Sequence, residues 1–520
     1  MKMNGQRGNG ADVHDYDQLP YASMPYAHTQ PARLAALAAL HGLEAPTAQS
    51  ARVLELGCAA GGNIIPLALR FPDARFLGID LARRHVEDAQ RQIAELGLTN
   101  IEVRQGDIER LSCGTEQFDY LICHGVFSWA PPAVQEAIFR LCRTVLAADG
   151  LAMISYNVLP GWHLRKVIRD ICLRHAGAEG SPHQRVAKAR EILADLGTAA
   201  NVTEPYGLLL RNEARRTARR PASYILGEFL APENAPCYFS EFVERAQQHG
   251  LSYLCEADLD ASVPEIRNVA VQARIKYHAG PDAVSVEQEI DYFTGRTFRW
   301  SVLSRLPARE GIARDYRRVR GLHISSNLRG IVCEDETRAY KDARGRTIRS
   351  KDPAVGAALA RLSAAYPETL PFAQLADGPF AADALARVCK ALSALVAVGQ
   401  ADVLTAPLNV GRAGELGARV WPLARAQAAA GQPWVTNLAH APVALKPAVA
   451  ILIPHLDGSN THAQLEQIYA GALVRGEVTA PELQGDLERD VGEIAKLAPH
   501  YVQRVLDYLE ANALLSPLPA

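Results

Sequence analysis

The stretch ELGCAAGGN at residues 55–63 decides the fold, because it joins a buried apolar run to an amphipathic pattern. Gly57 permits a tight turn, and Gly61 and Gly62 let a ligand approach the backbone where a helix begins. A carboxylate, Glu55, precedes the first glycine. This carboxylate would repel a pyrophosphate, but it would suit a ligand with a cationic centre and an amino-acid tail.

The residues around this stretch alternate short apolar runs with amphipathic segments. The apolar runs predict strands at 51–57, 74–80, 101–104, 118–126 and 151–157. Helices are predicted over 61–71, 82–97 and 132–146. This alternation predicts an α/β fold, a doubly wound Rossmann-like parallel sheet with helices on both faces. We assign 250–258 and 297–305 to the same sheet as two late strands, after a helical insertion at about 165–240.

Polar residues follow successive strands at the edge where doubly wound sheets bind ligands. Asp80 ends the second strand about twenty residues after the glycines, where a carboxylate can hold both hydroxyls of a ribose. Asp107 and Ile108 follow the third strand and are placed to meet an adenine amine and ring face. The other candidate cofactor contacts lie in the glycine turn or at strand ends, namely Cys58, Ala59, Asn63, Leu81, His124, Gly125 and Val126.

The N-terminal segment combines a polar start with a tyrosine-rich stretch. Its first residues lack the apolar core and cleavage site of a signal peptide. The stretch before the first helix then concentrates Tyr16, Tyr21, Tyr26, His28 and Thr29. We interpret it as a lid over the cofactor, with Tyr21 and Tyr26 as contacts. The alternative is packing on the sheet edge without touching the ligand.

The motif Glu-x-Gly-x-x-x-Gly at 55–61, followed by acidic residues that close the second and third strands, resembles the class I S-adenosylmethionine-dependent methyltransferases. Cys58 and Ala59 stand where that family commonly has Cys, Thr or Ser and then Gly, which is a mild departure from the pattern. The resemblance implies S-adenosylmethionine as the cofactor.

A narrower resemblance rests on four segments, the residues 16–43, HGVFSW at 124–129, ISYNVLPGWH at 154–163 and YFSEFVERAQQHGLSYLCEAD at 238–258. They are similar to bacterial methyltransferases with a methyltransferase regulatory domain. Within that group the chain resembles the rickettsial-type protein lysine methyltransferases, which modify an outer-membrane protein. The resemblance therefore implies lysine side chains of a protein, such as an outer-membrane protein, as the methyl acceptor.

Aromatic residues near the carboxyl ends of strands four and five are the candidate walls of the acceptor site. A lysine amine has an ordinary pKa of about 10.4, and removal from water favours its neutral, nucleophilic form. Trp129, Tyr156 and Trp162 are predicted as catalytic residues together with His124, with Phe127 as a further wall and His163 as a second proton relay. Each aromatic has ordinary core packing as an equally weighted alternative.

The remaining chain changes to Ala-rich helices. Three helical segments and a strand resemble a winged helix, at 353–365, 371–377, 381–398 and 399–406. We divide the chain into an N-terminal tail and lid at 1–44, a methyltransferase core at 45–310, a winged-helix-like domain at 311–410 and a C-terminal helical domain at 411–520.

Composition excludes several classes of protein. The net charge of −2 gives no global attraction to nucleic acid, and RRTARR at 215–220 is better explained as a solvated face or a groove for an acidic protein. No apolar run reaches about 18 residues, so no membrane insertion is expected. The nine cysteines form no CxxC motif, which indicates a reducing cytoplasm and no metal site.

Three functions remain open from the residues alone. The favoured one is methyl transfer to protein lysine, and the alternatives are a biosynthetic small-molecule methyltransferase and a non-catalytic regulator that retains the fold. The expected partners are the protein or small-molecule acceptor and a second copy of the chain in a homodimer.

Overall fold

The computed structural model describes residues 19, 23–258, 269–306, 315–331, 338–378, 382–414, 417–478 and 491–517. The chain divides into two compact units. The first comprises Met1–Ser23, Ser50–Ile65 and Asp73–Gly311, and the second comprises Met24–Gln49, Pro66–Pro72 and Ile312–Ala520.

A seven-stranded sheet organises the first unit. Its strands are β1 (Arg52–Leu56), β2 (Arg75–Asp80), β3 (Ile101–Gln105), β4 (Phe118–Cys123), β5 (Leu146–Asn157), β6 (Ser252–Glu256) and β7 (Phe298–Ser304). Their order is β3-β2-β1-β4-β5-β7-β6, which confirms that both late strands join the sheet. The first five strands are parallel, whereas β7 runs antiparallel to both β5 and β6. The sheet is therefore mixed, whereas the sequence predicts a parallel sheet. The chain enters β7 at the end of the sheet where it leaves β6, so that Glu256 lies opposite Ser301.

One helix precedes β1, and the other helices up to residue 294 connect the strands or form the insertion. Up to residue 294 they are α1 (Pro31–Leu40), α2 (Ile64–Arg70), α3 (Arg83–Glu95), α4 (Pro132–Val145), α5 (Trp162–Ala176), α6 (Pro182–Ala199), α7 (Pro205–Ala218), α8 (Ala222–Ile225), α9 (Phe239–Gln248), α10 (Val269–Ala279) and α11 (Ala283–Thr294). A π-helical turn, Leu226–Leu230, follows α8. The predicted insertion thus consists of α5 to α8 and this turn, and it has its own apolar core, in which Ile168, Leu193 and Phe229 are buried.

Helix starts in the insertion follow local capping chemistry. The Ser181 hydroxyl accepts the N–H of Gln184, whose side chain accepts the N–H of Ser181 in return, and Pro182 occupies the first turn of α6. Pro205 likewise stands in the first turn of α7. These proline and capping positions mark the starts of α6 and α7.

The second unit contains α1 and the helices α12 (Pro353–Ala365), α13 (Phe372–Leu375), α14 (Ala382–Ala397), α15 (Pro422–Ala429), α16 (Pro447–Leu452), α17 (His462–Arg475) and α18 (Val491–Ala511). Its strands are β8 (His323–Ser325), β9 (Arg329–Ile331), β10 (Arg338–Lys341), β11 (Thr347–Ser350), β12 (Leu370–Pro371), β13 (Asp402–Leu404), β14 (Arg419–Val420), β15 (Trp434–Thr436), β16 (Pro442–Ala444) and β17 (Leu515–Ser516). They form two three-stranded sheets, β11-β10-β9 and β12-β8-β13, and two pairs, β14-β17 and β15-β16.

Two features of the second unit bear on the predicted domains. The helices and strand expected at 353–406 are present as α12 to α14 and β13, and β13 pairs with β8. The segment predicted as tail and lid is divided, because residues from Met24 onward cluster with the second unit, where Arg33 of α1 pairs with Asp402. Across the described ranges, no helix has the length and apolar content needed to cross a membrane.

Candidate functional site

The turn after β1 can be made only by glycine at two positions. Gly57 has φ +72° and donates its N–H to the Ile79 carbonyl at 2.7 Å, which ties the turn to the end of β2. A Cβ at Gly57 would overlap Cγ2 of Val126. Gly61 has φ +77°, and a Cβ there would lie 2.5 Å from Cδ1 of Ile65. The ends of β1, β2 and β4 therefore meet at a turn that leaves no room for larger residues.

Glu55 presents a buried carboxylate with an unused oxygen beneath this turn. Its Oε1 accepts a hydrogen bond from Nδ2 of Asn63 at 2.8 Å. Its Oε2 is buried and has no hydrogen-bond partner among the described residues. Burial raises the pKa of Glu55 to about 8, against the opposing effect of the Asn63 hydrogen bond, and the nearby Asp80 adds to the rise. A buried carboxylate without a counter-charge is costly, so this site fits a ligand that brings positive charge.

Asp80 fixes the loop around the glycine turn while keeping room for a ligand. Its Oδ2 accepts the N–H of Ala59 at 2.8 Å, and its Oδ1 accepts the N–H of Ala82 at 2.9 Å. Nδ1 of His85 also lies 3.4 Å from Oδ1. A carboxylate offers about four acceptor positions, so about one remains for a hydroxyl group such as that of a ribose. The next residue, Leu81, is 44% exposed, which leaves an apolar side chain available beside the carboxylate.

Ala59 and Cys58 stand at the positions where the turn departs from the pattern of the methyltransferases that it resembles. Ala59 has φ +47°, the left-handed region that glycine adopts without strain. Cys58 is buried, and its burial raises the pKa of the thiol well above its usual range. Cys58 is therefore a packed thiol in the turn rather than a reactive thiolate.

The residues predicted after β3 lie at the same edge of the sheet. Asp107 accepts the N–H of Glu109 at 2.9 Å and caps the short helix Ile108–Arg110. Ile108 packs against the core formed in part by residues of β1, β2, β4 and β5. Both residues thus occupy the strand end at which an adenine contact is predicted.

The end of β4 carries three further predicted contacts. Gly125 has φ +70° and donates its N–H to Oγ of Ser155 on β5 at 2.8 Å. The ring of His124 lies edge-on to Phe298 at 6.1 Å between centroids. Because Val126 covers Gly57, this strand end closes one side of the glycine turn.

Two of the predicted aromatic walls lie in the core. Phe127 and Tyr156 are fully buried, and the Tyr156 ring stacks on Phe242 at 3.9 Å between centroids. The Tyr156 hydroxyl bonds Ser301 Oγ at 3.0 Å. Both rings therefore pack as core residues instead of lining an open cleft, because helix α9 covers them with Phe242.

Trp129 and Trp162 remain as the aromatic pair at this edge. Their rings meet edge to face at 5.9 Å between centroids. Trp162 is buried and donates from Nε1 to Oδ1 of Asn234 at 2.7 Å, whereas Trp129 is half-buried. His163 lies nearby in sequence, but its ring faces Tyr238 at 6.5 Å.

Sequence reasoning missed a set of polar residues beside the tryptophan pair. The Ser128 hydroxyl accepts the N–H of Asn157 at 2.8 Å, and the Ser128 carbonyl accepts the N–H of Ala235 at 2.8 Å. Nδ2 of Asn157 and Nδ2 of Asn234 are buried and have no hydrogen-bond partner within the described ranges. A polar residue that closes an apolar strand, as in ISYN at 154–157, was the available signal for Asn157. Asn234 had none, since only the fold brings it to Trp162.

The predicted lid is described in part. Ser23 lies over the glycine turn, where its hydroxyl accepts the N–H of Gly62 at 2.8 Å. Tyr16 and Tyr21 lie outside the described residues. Tyr26, His28 and Thr29 belong to the second unit, where Thr29 Oγ1 donates to the Tyr26 carbonyl at 2.8 Å. The contact of Tyr21 and Tyr26 with a cofactor stays a prediction.

The thiols and possible metal ligands give no second site in the described part of the chain. The eight cysteines it contains are free thiols. No group of three or more His, Cys, Asp or Glu residues has an arrangement suited to a metal ion in this part.

Three family descriptions match separate parts of the chain. A methyltransferase domain matches residues 53–150, a predicted methyltransferase regulatory domain matches 221–305, and a PKMT C-terminal winged helix domain matches 419–514. The winged-helix match thus falls in the range assigned from the sequence to C-terminal helices, whereas the sequence pattern places a winged-helix-like part at 311–410.

Two uncharacterized proteins of Rickettsia prowazekii are similar in sequence. RP789 is 39% identical over 302 residues, which cover 58% of this chain and 54% of that protein. RP028 is 33% identical over 234 residues, which cover 45% of this chain and 94% of that protein. The chain therefore spans about half the length of the first relative and nearly all of the second.

One solved structure shares the architecture of almost the whole chain. PKMT2 from Rickettsia typhi in complex with AdoHcy superposes with a TM-score of 0.85 at 24% sequence identity. The superposition covers 95% of this chain and 100% of that chain. At this identity the likeness establishes the fold.

Proposed function

The chain belongs to the family that joins a methyltransferase domain to a predicted methyltransferase regulatory domain, and from this premise we propose that it transfers methyl groups from S-adenosylmethionine to lysine side chains of a protein. The observation that carries the proposal is the unused Oε2 of Glu55, buried beside a turn formed by Gly57 and Gly61. This carboxyl group is buried with no cation beside it among the described residues.

The residues present fit S-adenosylmethionine, which when bound supplies a methyl group on a positively charged sulfur. Glu55 would bind the cationic amino group of its amino-acid part. Asp80 would accept a ribose hydroxyl, and Leu81, Asp107 and Ile108 would contact the adenine. The positive φ of Gly57 and Gly61 forms the tight turn that holds Glu55 and Asp80 at one edge of the sheet.

The tryptophan pair would serve the acceptor. Trp129, which is half-buried, provides an apolar face that excludes water from a lysine side chain, with the buried Trp162 packed behind it, and desolvation favours the neutral amine. His124 would accept the proton that the amine must lose, since it lies at the end of β4 beside the glycine turn. Positioning of the amine and exclusion of water are then the chain's contribution to the rate.

A protein acceptor is supported by the match to a PKMT winged helix domain at 419–514, beyond the sheet that a cofactor site requires. We further propose that the acceptor is an outer-membrane protein modified in the cytoplasm and that the chain acts as a homodimer. The outer-membrane acceptor rests on the family resemblance, and the cytoplasmic location rests on the absence of a CxxC motif among the cysteines.

Cofactor binding and acceptor class can be tested separately. Isothermal titration with S-adenosylmethionine should show a single site, and absence of heat would overturn the cofactor assignment. Labelled methyl donor supplied to a bacterial extract should then label protein, with methyllysine recovered after hydrolysis. Label confined to small molecules would favour a biosynthetic enzyme. Binding without any transfer, together with a shift of random DNA at low salt, would favour a regulator.

We also propose that Tyr21 and Tyr26 cover the bound cofactor, supported by the neighbouring contact of Ser23 with Gly62. Tyr21→Ala and Tyr26→Ala should each weaken cofactor affinity, whereas removal of residues 1–12, which precede the tyrosines, should leave it unchanged. Full affinity in both tyrosine variants would refute the lid.

A further inference from the structure

Positive charge is concentrated in the helical insertion, although the whole chain is nearly neutral. Residues 162–230 contain twelve Lys and Arg against seven Asp and Glu, a net charge of +5, whereas the full chain carries −2. Within the insertion, residues 211–220 contain five arginines and one glutamate. The insertion therefore has a local field of opposite sign to the chain as a whole.

The arginines at the end of α7 point to an anionic partner. Arg215, Arg216, Arg219 and Arg220 are exposed. Glu213 pairs with Arg216 at 2.9 Å. The described residues provide no carboxylate partner for the other three, which we call the arginine triplet. Neighbouring like charges repel one another, so an anion bound here would lower the free energy of the cluster.

Arg220 of the arginine triplet is connected to the tryptophan pair by a series of contacts within the first unit. The guanidinium of Arg165 lies 5.2 Å from the ring centroid of Trp162, which meets Trp129. The same guanidinium donates to the hydroxyl of Tyr224 at 3.1 Å. The guanidinium of Arg220 lies 4.9 Å from the ring centroid of Tyr224. A polypeptide at the tryptophan pair would therefore have Arg220 within reach, since an extended chain advances about 3.4 Å per residue. Arg215 and Arg219 lie in the same exposed stretch as Arg220.

From this arrangement we infer that Arg215, Arg219 and Arg220 form a docking surface for acidic side chains of the protein acceptor, located a few residues from the methylated lysine. The inference rests on the proposed function and adds a substrate class to it, lysines in an acidic sequence. A short acidic peptide needs only this local patch, whereas a long polyphosphate would extend over the rest of a negatively charged chain.

The test compares two peptides and two triple variants by fluorescence anisotropy. One labelled peptide has a single lysine flanked by glutamates, and its match has glutamine in place of each glutamate. We expect the acidic peptide to bind more tightly, with an affinity that falls as salt is added. In R215Q/R219Q/R220Q the affinity should fall about tenfold, as expected for the loss of three exposed ion pairs, and the preference for glutamate should vanish.

The matched control is R83Q/R91Q/R104Q, which removes the same charge from three exposed arginines of the first unit that already pair with Glu87, Asp88 and Glu102. It should bind the acidic peptide as the unmodified protein does. Both variants should keep the melting temperature and the affinity for S-adenosylmethionine, because neither set touches the cofactor residues.

The outcomes separate the docking surface from the proposed function. Equal binding of the acidic peptide by the triplet variant and the unmodified protein would overturn the docking surface. Tighter binding of a single-stranded oligonucleotide, lost in the same variant, would overturn it in favour of nucleic acid. Triplet-dependent peptide binding without methyl transfer to any acceptor would support the docking surface while the proposed function fails.

Discussion

Glu55 and Glu256 are both buried glutamates at the ends of strands in the same sheet, but their surroundings are opposite. Glu256 is paired with Arg299 at 2.9 Å, and its oxygens also accept the N–H of Trp300 at 3.0 Å and the hydroxyl of Ser301 at 2.7 Å. Although burial raises the pKa of Glu256, Arg299 and Arg296 lower it below its ordinary value. Glu55 has one amide partner and no cation, and burial raises its pKa to about 8.

The surroundings of Glu256 form a complete ion cluster. The fully buried Arg299 also pairs with Asp291 at 2.8 Å and with Glu287 at 3.1 Å. Since three carboxylates share Arg299 and Arg296, two are left less well compensated: burial raises the pKa of Glu287 to about 7 and also raises the pKa of Asp291. This cluster fastens α11 to β6 and β7.

The comparison distinguishes a structural from a functional buried charge. A buried carboxylate that has its counter-charge within the chain holds the fold together. One that lacks it keeps a free-energy cost that a cationic ligand can remove. Glu256 belongs to the first kind, and Glu55 matches the second. Three substitutions or conditions test this distinction, and a fourth substitution tests the glycine turn beside Glu55.

Removing the counter-charge of the ion cluster should have the largest effect. Arg299→Met would leave three buried carboxylates with only Arg296, so we expect a loss of about 3–5 kcal/mol in the free energy of unfolding, measured by urea titration. Arg52→Met removes the guanidinium that pairs with Asp119 near the surface and should cost less than about 1 kcal/mol. Equal losses in the two variants would show that the cluster contributes little.

Replacing Glu55 by an amide should weaken cofactor binding without lowering the free energy of unfolding. Glu55→Gln should keep or increase the free energy of unfolding, because an uncharged amide is cheaper to bury and still accepts from Asn63. Affinity for S-adenosylmethionine should fall about ten- to hundredfold, the loss of about 1.5–3 kcal/mol for a hydrogen bond to a charged group. A destabilised variant with unchanged affinity would place Glu55 with the structural charges.

The pH dependence of cofactor affinity should report the same carboxyl group. The raised pKa means that Glu55 is protonated below about pH 8 in the free protein, and it must lose that proton to pair with a cation. Affinity should therefore rise with pH between about 6 and 7.5, by at most about tenfold per pH unit, with proton release seen in calorimetry. Over the same range, the free energy of unfolding of the ligand-free protein should fall as the pH rises. The raised pKa lets Glu55 hold a proton in the folded state, whereas Glu55 of the unfolded chain has already lost it.

Glu55→Gln should flatten this profile of affinity against pH. Glu287→Gln is the matched control, because it removes another buried carboxyl with a raised pKa and should leave the profile unchanged. A profile that flattens only in the Glu287 variant would contradict the assignment.

The smallest change in stability is expected for a substitution in the glycine turn. Ala59→Gly replaces a left-handed alanine with the residue that adopts this conformation freely, and should stabilise the fold by about 1 kcal/mol or less. Thermal unfolding would measure it. Ala130→Gly is the control, because Ala130 has an extended backbone with φ −103°, and it should lower the melting temperature. An equal rise in melting temperature in both variants would show that strain at Ala59 is not the cause.

The sheet and the glycine turn were predictable because they depend on local patterns. The apolar runs of β1 to β5 alternate with helices at the spacing of a parallel sheet, and Gly57, Glu55 and Asp80 stand at fixed distances along the chain. The late strands β6 and β7 were also recognisable as apolar runs. The antiparallel orientation of β7 was not, because it depends on where the chain re-enters the sheet.

The sequence by itself thus determined the class of the fold and the residues of the glycine turn, since local periodicity and turn chemistry specify them. Only the tertiary structure decided that Tyr156 packs under Phe242, that Trp162 meets Trp129, and that Glu256 has a cation while Glu55 does not. Burial and counter-charge are set by residues that are distant along the chain, and no spacing in the sequence records them.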